Sequence, residues 1–377
     1  MIETNLYDMV DVGELPEVRT YDNALAQFTS PWSAGHGSGG LSRRIHPTEL
    51  RRRRARCEPL VRSLLKMERK FVAACNLCGS ERRALVAQPD RYGFPARTVM
   101  CLECGLYYLA DRLTDDGYAK FYANYYRKLT SAFTGERQSD INDIHTDQVG
   151  YAKWLIRSLE GFLKLPPGAR AIDVGGSGGQ VAFQFQQHFG VRATVLDPAV
   201  EEVAAARELG LEGITGSFER FETDELFDLI LFCRSVEHVQ DLRAVLTKMR
   251  RMLRPEGLLY CDIVDFYEIS RLVGHPEGVT KIDHCYWLTQ ESATRIFSSV
   301  GLQILMVDVS LQQPLTGFLL RRGEPSFWPP ASPELIANQL REHQRRASEW
   351  QELGRTAADA KDWLRHRAYR LKRKLLS

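Results

Sequence analysis

The chain has 377 residues, of which 44% are hydrophobic and 26% charged, and a formal net charge of +2. This length accommodates one full α/β domain with smaller attachments, two or three units in all. The composition excludes wholesale disorder and fibrous architectures, and the charge is too small to argue by itself for a nucleic-acid partner. No stretch approaches the roughly 18 consecutive apolar residues of a membrane span. Met1 to Tyr21 is acidic and lacks an apolar secretory core, so a cytoplasmic protein without membrane insertion is expected. In that reducing compartment, cysteines spaced Cys-x-x-Cys read as metal-binding or redox groups rather than disulfides.

Residues 1–71 are expected to form a flexible arm and a basic helix. The arm ends in the Gly/Ser stretch 33–40, and from Pro47 to Phe71 the spacing of Leu50, Leu60, Leu64, Leu65 and Met67 among arginines predicts one amphipathic helix. The basic runs at Arg51 to Arg54 and at Arg365 to Lys374 read as solvated faces or helix ends. Residues 72–112 carry two matching knuckles, Cys75-Asn76-Leu77-Cys78-Gly79 and Cys101-Leu102-Glu103-Cys104-Gly105, separated by the 22 residues 79–100. Four thiolates in two such turns suit a closed tetrahedral Zn2+ site, which leaves no open position for catalysis and is therefore structural. A redox Cys-x-x-Cys occurs once, in a thioredoxin-like setting, so the duplication argues against that chemistry. Cys57, Cys233, Cys261 and Cys285 show no comparable pairing.

Residues 113–165 read as helical. Their Tyr118, Tyr122, Tyr125 and Tyr126 form either a lid or an aromatic helix face packed on a core, and Pro166-Pro167-Gly168 ends the segment. In residues 166–323, strands at 171–174, 193–196, 213–215, 227–233, 257–263, 302–309 and 318–321 alternate with helices at 179–189, 201–209, 241–253 and 289–300. Such alternation means βαβ units and a parallel sheet. Residues 324–377 read as a charged helical extension. The expected fold is α/β: a doubly wound, Rossmann-like sheet preceded by a small four-cysteine zinc ribbon and followed by C-terminal helices.

Asp173-Val174-Gly175-Gly176-Ser177-Gly178-Gly179 follows an apolar strand and opens a helix, a setting where backbone approaches a ligand closely. A nicotinamide fingerprint counted from Gly176 would need glycine at its sixth position, which is Val181. Asp173 suits a ligand with a cationic amino-acid end. Asp197, 24 residues further on, closes the next strand, where a carboxylate accepts ribose hydroxyls. Together they describe an adenosine with a charged tail. Two rival readings exist. Gly175 to Gly179 also fits the Gly-x-Ser-x-Gly elbow of α/β-hydrolases, with Ser177 as nucleophile, but no oxyanion segment of His-Gly-Gly type precedes it and Asp197 would have no purpose. The turn could also merely pack helix on strand.

With these motifs in order over roughly 160 residues, the chain resembles the class I S-adenosylmethionine-dependent methyltransferases. The resemblance implies that Asp173, Gly175, Gly176, Ser177 and Gly179 shape the pocket for the methionine end and that Asp197 binds the ribose. It further implies that Ser217 and Phe218 contact adenine, that Cys233 faces the cofactor at the end of the fourth strand, Phe227 to Cys233, and that Leu253 to Leu259 turns into the fifth. The usual middle glycine is replaced by Ser177. After the fourth strand, His238 stands where a base would take the acceptor's proton, with Glu237 orienting it; a structural, helix-capping role is the alternative. His284 is a second candidate base. A zinc knuckle, a tyrosine-rich segment and this core also resemble the bacterial sugar C-methyltransferases and related polysaccharide or natural-product enzymes, which implies proton removal by His238 and one of Tyr122, Tyr125 or Tyr126. The large C-terminal domain of that family is not apparent. The expectation is therefore O-methylation of a sugar, glycan or related small polar metabolite. The alternatives are an RNA methyltransferase using the ribbon, a C-methyltransferase of a nucleotide-linked sugar, and a degenerate cofactor-binding assembly module.

Overall fold

In the computed structural model, residues 17–19, 45–135, 141–309, 315–326 and 330–375 are described, and they divide into two units. One comprises Met1–Gly37, Asp140–Phe266 and Tyr286–Pro329, the other Ser38–Ser139, Tyr267–Cys285 and Pro330–Ser377. The Gly/Ser stretch 33–40 lies outside the described residues, as do the side chains of the basic run after Arg365.

In chain order, the strands that matter are β1 (Glu17–Arg19), β2 (Arg69–Phe71), β3 (Arg83–Ala87), β4 (Thr98–Cys101), β5 (Tyr107–Leu109), β6 (Asp111–Leu113), β7 (Arg170–Val174), β8 (Arg192–Asp197), β9 (Glu212–Thr215), β10 (Phe227–Phe232), β11 (Leu253–Val264), β12 (Tyr286–Trp287), β13 (Leu302–Asp308) and β14 (Leu315–Arg322). The first unit is built on an eight-stranded sheet ordered β1-β13-β14-β11-β10-β7-β8-β9. Neighbours run parallel except at β14, which is antiparallel to both β11 and β13. The apolar runs of β7, β8 and β10 are buried almost throughout, as a sheet covered on both faces requires. β1 was not foreseen: Glu17-Val18-Arg19 has no strand signal of its own, and a free edge on β13 supplies its ladder.

Helices Gln180–Phe189, Val200–Glu208, Leu242–Met252 and Gln290–Ser299 follow their predicted positions to within two residues. The last is opened by a capping box between Thr289 and Ser292. Helix Ile141–Leu159, assigned from sequence to the linker 113–165, belongs instead to this unit. Its Tyr151, Ala152, Leu155, Ile156 and Leu159 fall at helical spacing on one stripe and are buried with Ala171, Val195 and Leu229.

Chain order reverses between β7 and β10. β7 leads to β8 on one side, and β10 lies on the other, so the loops leaving the two carboxyl ends diverge and open a crevice. The glycine turn follows β7, and Cys233 follows β10.

In the second unit, β3, β4 and β5 form an antiparallel sheet and β2 pairs with β6. The single helix expected over 47–71 stops at Leu64. Lys66 N and Met67 N bond back three residues, to Ser63 O and Leu64 O, which tightens the last turn. The chain then leaves as β2 because β6, about forty residues away, offers a ladder that the helical spacing could not reveal. Helices Asp115–Asn124, Tyr126–Thr134 and the long Pro333–Leu375 also belong to this unit, as does Phe266–Val273 from Tyr267 on. Among the described residues, no helix is long and apolar enough to cross a membrane.

Candidate active site and four-cysteine centre

The glycine turn is held by its own backbone. Gly175 N donates to Leu196 O at 2.8 Å and Gly179 N to Gly176 O at 2.9 Å. Gly175 and Gly179 adopt φ of +73° and +78°. A Cβ on Gly175 would come within 2.5 Å of Ser235 Oγ, and one on Gly176 within 2.7 Å of the Asp173 carboxyl. At these two positions the turn therefore has room for backbone only. Ser177, which departs from the expected glycine, takes φ of 50°, an uncommon left-handed conformation for a residue with a side chain. Two carboxylates hold it there: Ser177 N donates to Asp197 Oδ2 and Ser177 Oγ to Glu202 Oε2, each at 2.9 Å. The hydroxyl gives its proton to a helix-borne carboxylate rather than to an imidazole. It is a brace for the turn, not the activated nucleophile of a hydrolase.

Asp173, at the end of β7, is 2% exposed, and its Oδ2 has no hydrogen-bond partner. Burial, reinforced by the neighbouring Asp197 and Asp262 carboxylates, pushes its pKa up to about 7. Asp197 is also buried, which raises its pKa, but each of its oxygens accepts a backbone N–H, from Ser177 and from Ala199 (2.8 Å). Phe218 is buried, with Lys248 Nζ 5.2 Å from its ring centre and donating to its carbonyl at 3.1 Å. Ser217 and Cys233 are half-buried. Burial pushes the Cys233 thiol well above its ordinary range.

Beyond β10 lies a network that sequence reasoning missed. Asp262 is 0% exposed. It accepts from Arg234 N at 2.5 Å on one oxygen and from the Tyr151 hydroxyl at 2.8 Å on the other. Arg234, the second residue with positive φ (50°), lays its guanidinium 4.4 Å from the centre of the Tyr151 ring. Strained backbone at two strand ends facing one crevice is the pattern expected where geometry is fixed for a ligand. Glu237 is buried and its Oε1 accepts from Val264 N at 2.7 Å, so it ties the turn after β10 to the end of β11. His238 is half-buried in that turn, and its N donates to Ser235 O at 3.1 Å.

Tyr122 belongs to the second unit, as do Tyr118 and His284. Tyr118 donates to Ile282 O at 2.8 Å, and Tyr118 and Phe121 are buried, so this helix face packs inward. The Tyr122 hydroxyl lies 3.5 Å from Asp283 O; burial, and next the Asp283 carboxylate, push its pKa well above the usual tyrosine range. Tyr125 instead lines a groove of about 410 Å³ with Leu60, Met67, Lys120, Asn124 and Lys128. His284 is buried.

The four cysteines converge. Cys75 Sγ and Cys104 Sγ lie 3.5 Å apart, as do those of Cys78 and Cys101, and all four sulfurs fall within 4.8 Å of one another. A disulfide would be about 2 Å long. Tetrahedral bonds of about 2.3 Å give edges of about 3.8 Å, which these spacings fit. The two knuckles repeat one backbone pattern. Gly79 N and Gly105 N return to Cys75 O and Cys101 O, while Cys75 N and Cys101 N take Ser80 O and Leu106 O. Both glycines sit at φ of +75°, which explains why glycine follows each pair.

Residues 145–307 match a family model described as Methyltransferase domain. The chain is similar to the ubiquinone biosynthesis O-methyltransferase of Xanthomonas oryzae pv. oryzae (strain PXO99A), 33% identical over 106 residues, 26% of this chain and 44% of that protein. It is similar to the protein of the same name from Bradyrhizobium sp. (strain ORS 278), 29% identical over 98 residues, 24% of this chain and 38% of that protein. The chain thus spans less than half the length of these curated relatives. Among solved structures, a S-adenosylmethionine-dependent methyltransferase from Clostridium acetobutylicum ATCC 824 aligns at 15% identity with a TM-score of 0.39, covering 55% of this chain and 99% of that one.

Proposed function

We propose, from a chain whose residues 145–307 match a methyltransferase domain, that it moves a methyl group from S-adenosylmethionine to a hydroxyl of a sugar, glycan or related small polar metabolite. The observation that carries this reading is Asp173: a buried carboxylate oxygen with no partner, beside a turn whose Gly175 and Gly176 leave no room for a Cβ. A buried carboxylate oxygen left without a partner is costly, and an ammonium bound beside it would offset that cost. The names of the curated relatives, O-methyltransferases of ubiquinone biosynthesis, support oxygen as the acceptor atom.

Bound in the crevice, S-adenosylmethionine would supply a methyl carbon on a sulfonium, open to in-line attack. The protein's part is to hold and align. Asp173 pairs with the ammonium and Gly175, Gly176, Ser177 and Gly179 cradle the methionine end. Asp197 keeps one lone pair on each oxygen for the ribose hydroxyls, while Ser217 and Phe218 border the adenine and Cys233 the sulfur end. His238 takes the proton of the acceptor hydroxyl, and Glu237 fixes the turn that carries it. Burial and the Asp283 carboxylate push the Tyr122 pKa up, which speaks against Tyr122 itself as the base.

Cys75, Cys78, Cys101 and Cys104 hold a structural Zn2+. The arginines around it do not favour an RNA acceptor: Arg82 is paired with Glu103 and Arg97 with Asp111. The test is methyl transfer from labelled donor into pools of hydroxylated metabolites. His238→Gln should lower kcat by about 10²- to 10⁴-fold with little change in S-adenosylhomocysteine affinity. Undiminished turnover would remove His238 from this role. Tight cofactor binding without turnover on any acceptor would favour the assembly module.

A further inference from the structure

The second unit buries an arginine whose guanidinium keeps an unmet donor. Arg91 is 7% exposed, and among the described residues its guanidinium makes no ion pair. Its Nη2 donates to the Tyr92 hydroxyl at 2.6 Å, and its Nε has no partner. Tyr92 is 1% exposed, and its hydroxyl, having accepted from Arg91, still has a proton to donate. The Tyr92 and Phe133 rings lie 4.7 and 5.0 Å from the guanidinium carbon, which softens its desolvation but leaves the Nε–H unmet. Lys281, with 13% of its side chain exposed, is the second cation of the cluster and pairs with Asp283 at 3.0 Å. The adjacent acid, Asp90, is already committed: its carboxylate accepts the backbone N–H of Tyr92, Phe94 and Ile282 at 2.8–2.9 Å. Asp283 is thus the carboxylate whose field bears on both cations, while Arg91 Nε and the Tyr92 hydroxyl each still have a proton to donate. A buried charge left in that state is expensive, and an arginine fork is the group best shaped to accept a planar or tetrahedral oxyanion.

We propose that Arg91, Tyr92 and Lys281 form a binding site for an oxyanion, the carboxylate or phosphate of a small ligand. The anion accepts from Arg91 Nε and the Tyr92 hydroxyl, and Lys281 supplies the balancing charge at the exposed side. The anion site stands independently of methyl transfer. Only the further step, that this anion is the acidic group of the methyl acceptor, rests on that reading.

The full zinc-loaded chain is melted with increasing inorganic phosphate and, separately, acetate, at constant ionic strength set with chloride. Wild type should rise by at least about 2 °C with one of the two at millimolar concentration, and which one responds identifies the anion class. Arg91→Met should lose that shift. Arg91→Lys, which keeps the charge and loses the fork, should weaken binding about tenfold and decides the matter if Arg91→Met does not fold. No shift in wild type with either anion, or a shift undiminished in whichever arginine variant folds, overturns the site. Neither outcome depends on S-adenosylmethionine, so methyl transfer stands or falls by its own assay.

Discussion

In the four-cysteine centre, every ligand comes from two stretches of five residues, Cys75–Gly79 and Cys101–Gly105, each closed by its own backbone bonds. The crevice of the first unit instead gathers Asp173, Asp197, Arg234 and Asp262 from the ends of four strands, with Tyr151 arriving from a helix 111 residues before its partner. In the first region the sequence interval is the geometry, and the sulfurs are grouped as one ion requires. In the second, topology makes the site. There one oxygen of a buried carboxylate is left without a hydrogen-bond partner, which on the proposed reading a cationic ligand would relieve.

The two regions should respond oppositely to the loss of a polar group. Removing the ion with a chelator, or one ligand by Cys101→Ser, should cost at least about 5 kcal/mol and melt the second unit. Metal analysis together with chelator-dependent circular dichroism checks this; an unchanged melt and no bound zinc would break the comparison on that side. In the crevice, Asp173→Asn should stabilise the ligand-free protein. The folded pKa of Asp173 is raised to about 7, so below about pH 4 it exacts no penalty, and stability is lost as pH rises through about 7. The variant should therefore exceed wild type by about 2 kcal/mol near pH 8, with the gap narrowing toward pH 5. Urea unfolding at the two pH values reads it, and a destabilised variant at pH 8 would mean that Asp173 is satisfied within the fold. Tyr151→Phe should cost about 1–2 kcal/mol, because it strips a donor from the buried Asp262. An unchanged urea midpoint would place Tyr151 outside that network.

The same contrast governs what could be read in advance. The convergence of the cysteine knuckles and the place of the glycine turn between β7 and a helix were legible because each is a short sequence interval. The strands were legible because doubly buried β7, β8 and β10 must be continuous apolar runs. Tyr151, Arg234 and Asp262 were not, since nothing in their local spacing links a helix to two strand ends. The helix at Pro47 was extended too far because Leu64, Leu65 and Met67 continue an apolar pattern across a turn, and the pull of β6 on β2 is non-local. The serine in the glycine turn looked like a departure that weakened the motif. Its φ of 50° is tolerated because Asp197 and Glu202 hold its N–H and hydroxyl, a compensation that only the fold brings together.

The most direct test of the crevice is calorimetric titration of the zinc-loaded chain with S-adenosylhomocysteine near pH 8, for wild type, Asp173→Asn and Gly175→Ala. The account predicts saturable binding by wild type and a loss of about 100-fold or more in each variant. Asp173→Asn loses it through the ammonium partner; Gly175→Ala loses it because its Cβ would meet Ser235 Oγ at 2.5 Å on a strained backbone. Well-folded wild type that does not bind, or Asp173→Asn that binds as tightly as wild type, would contradict it.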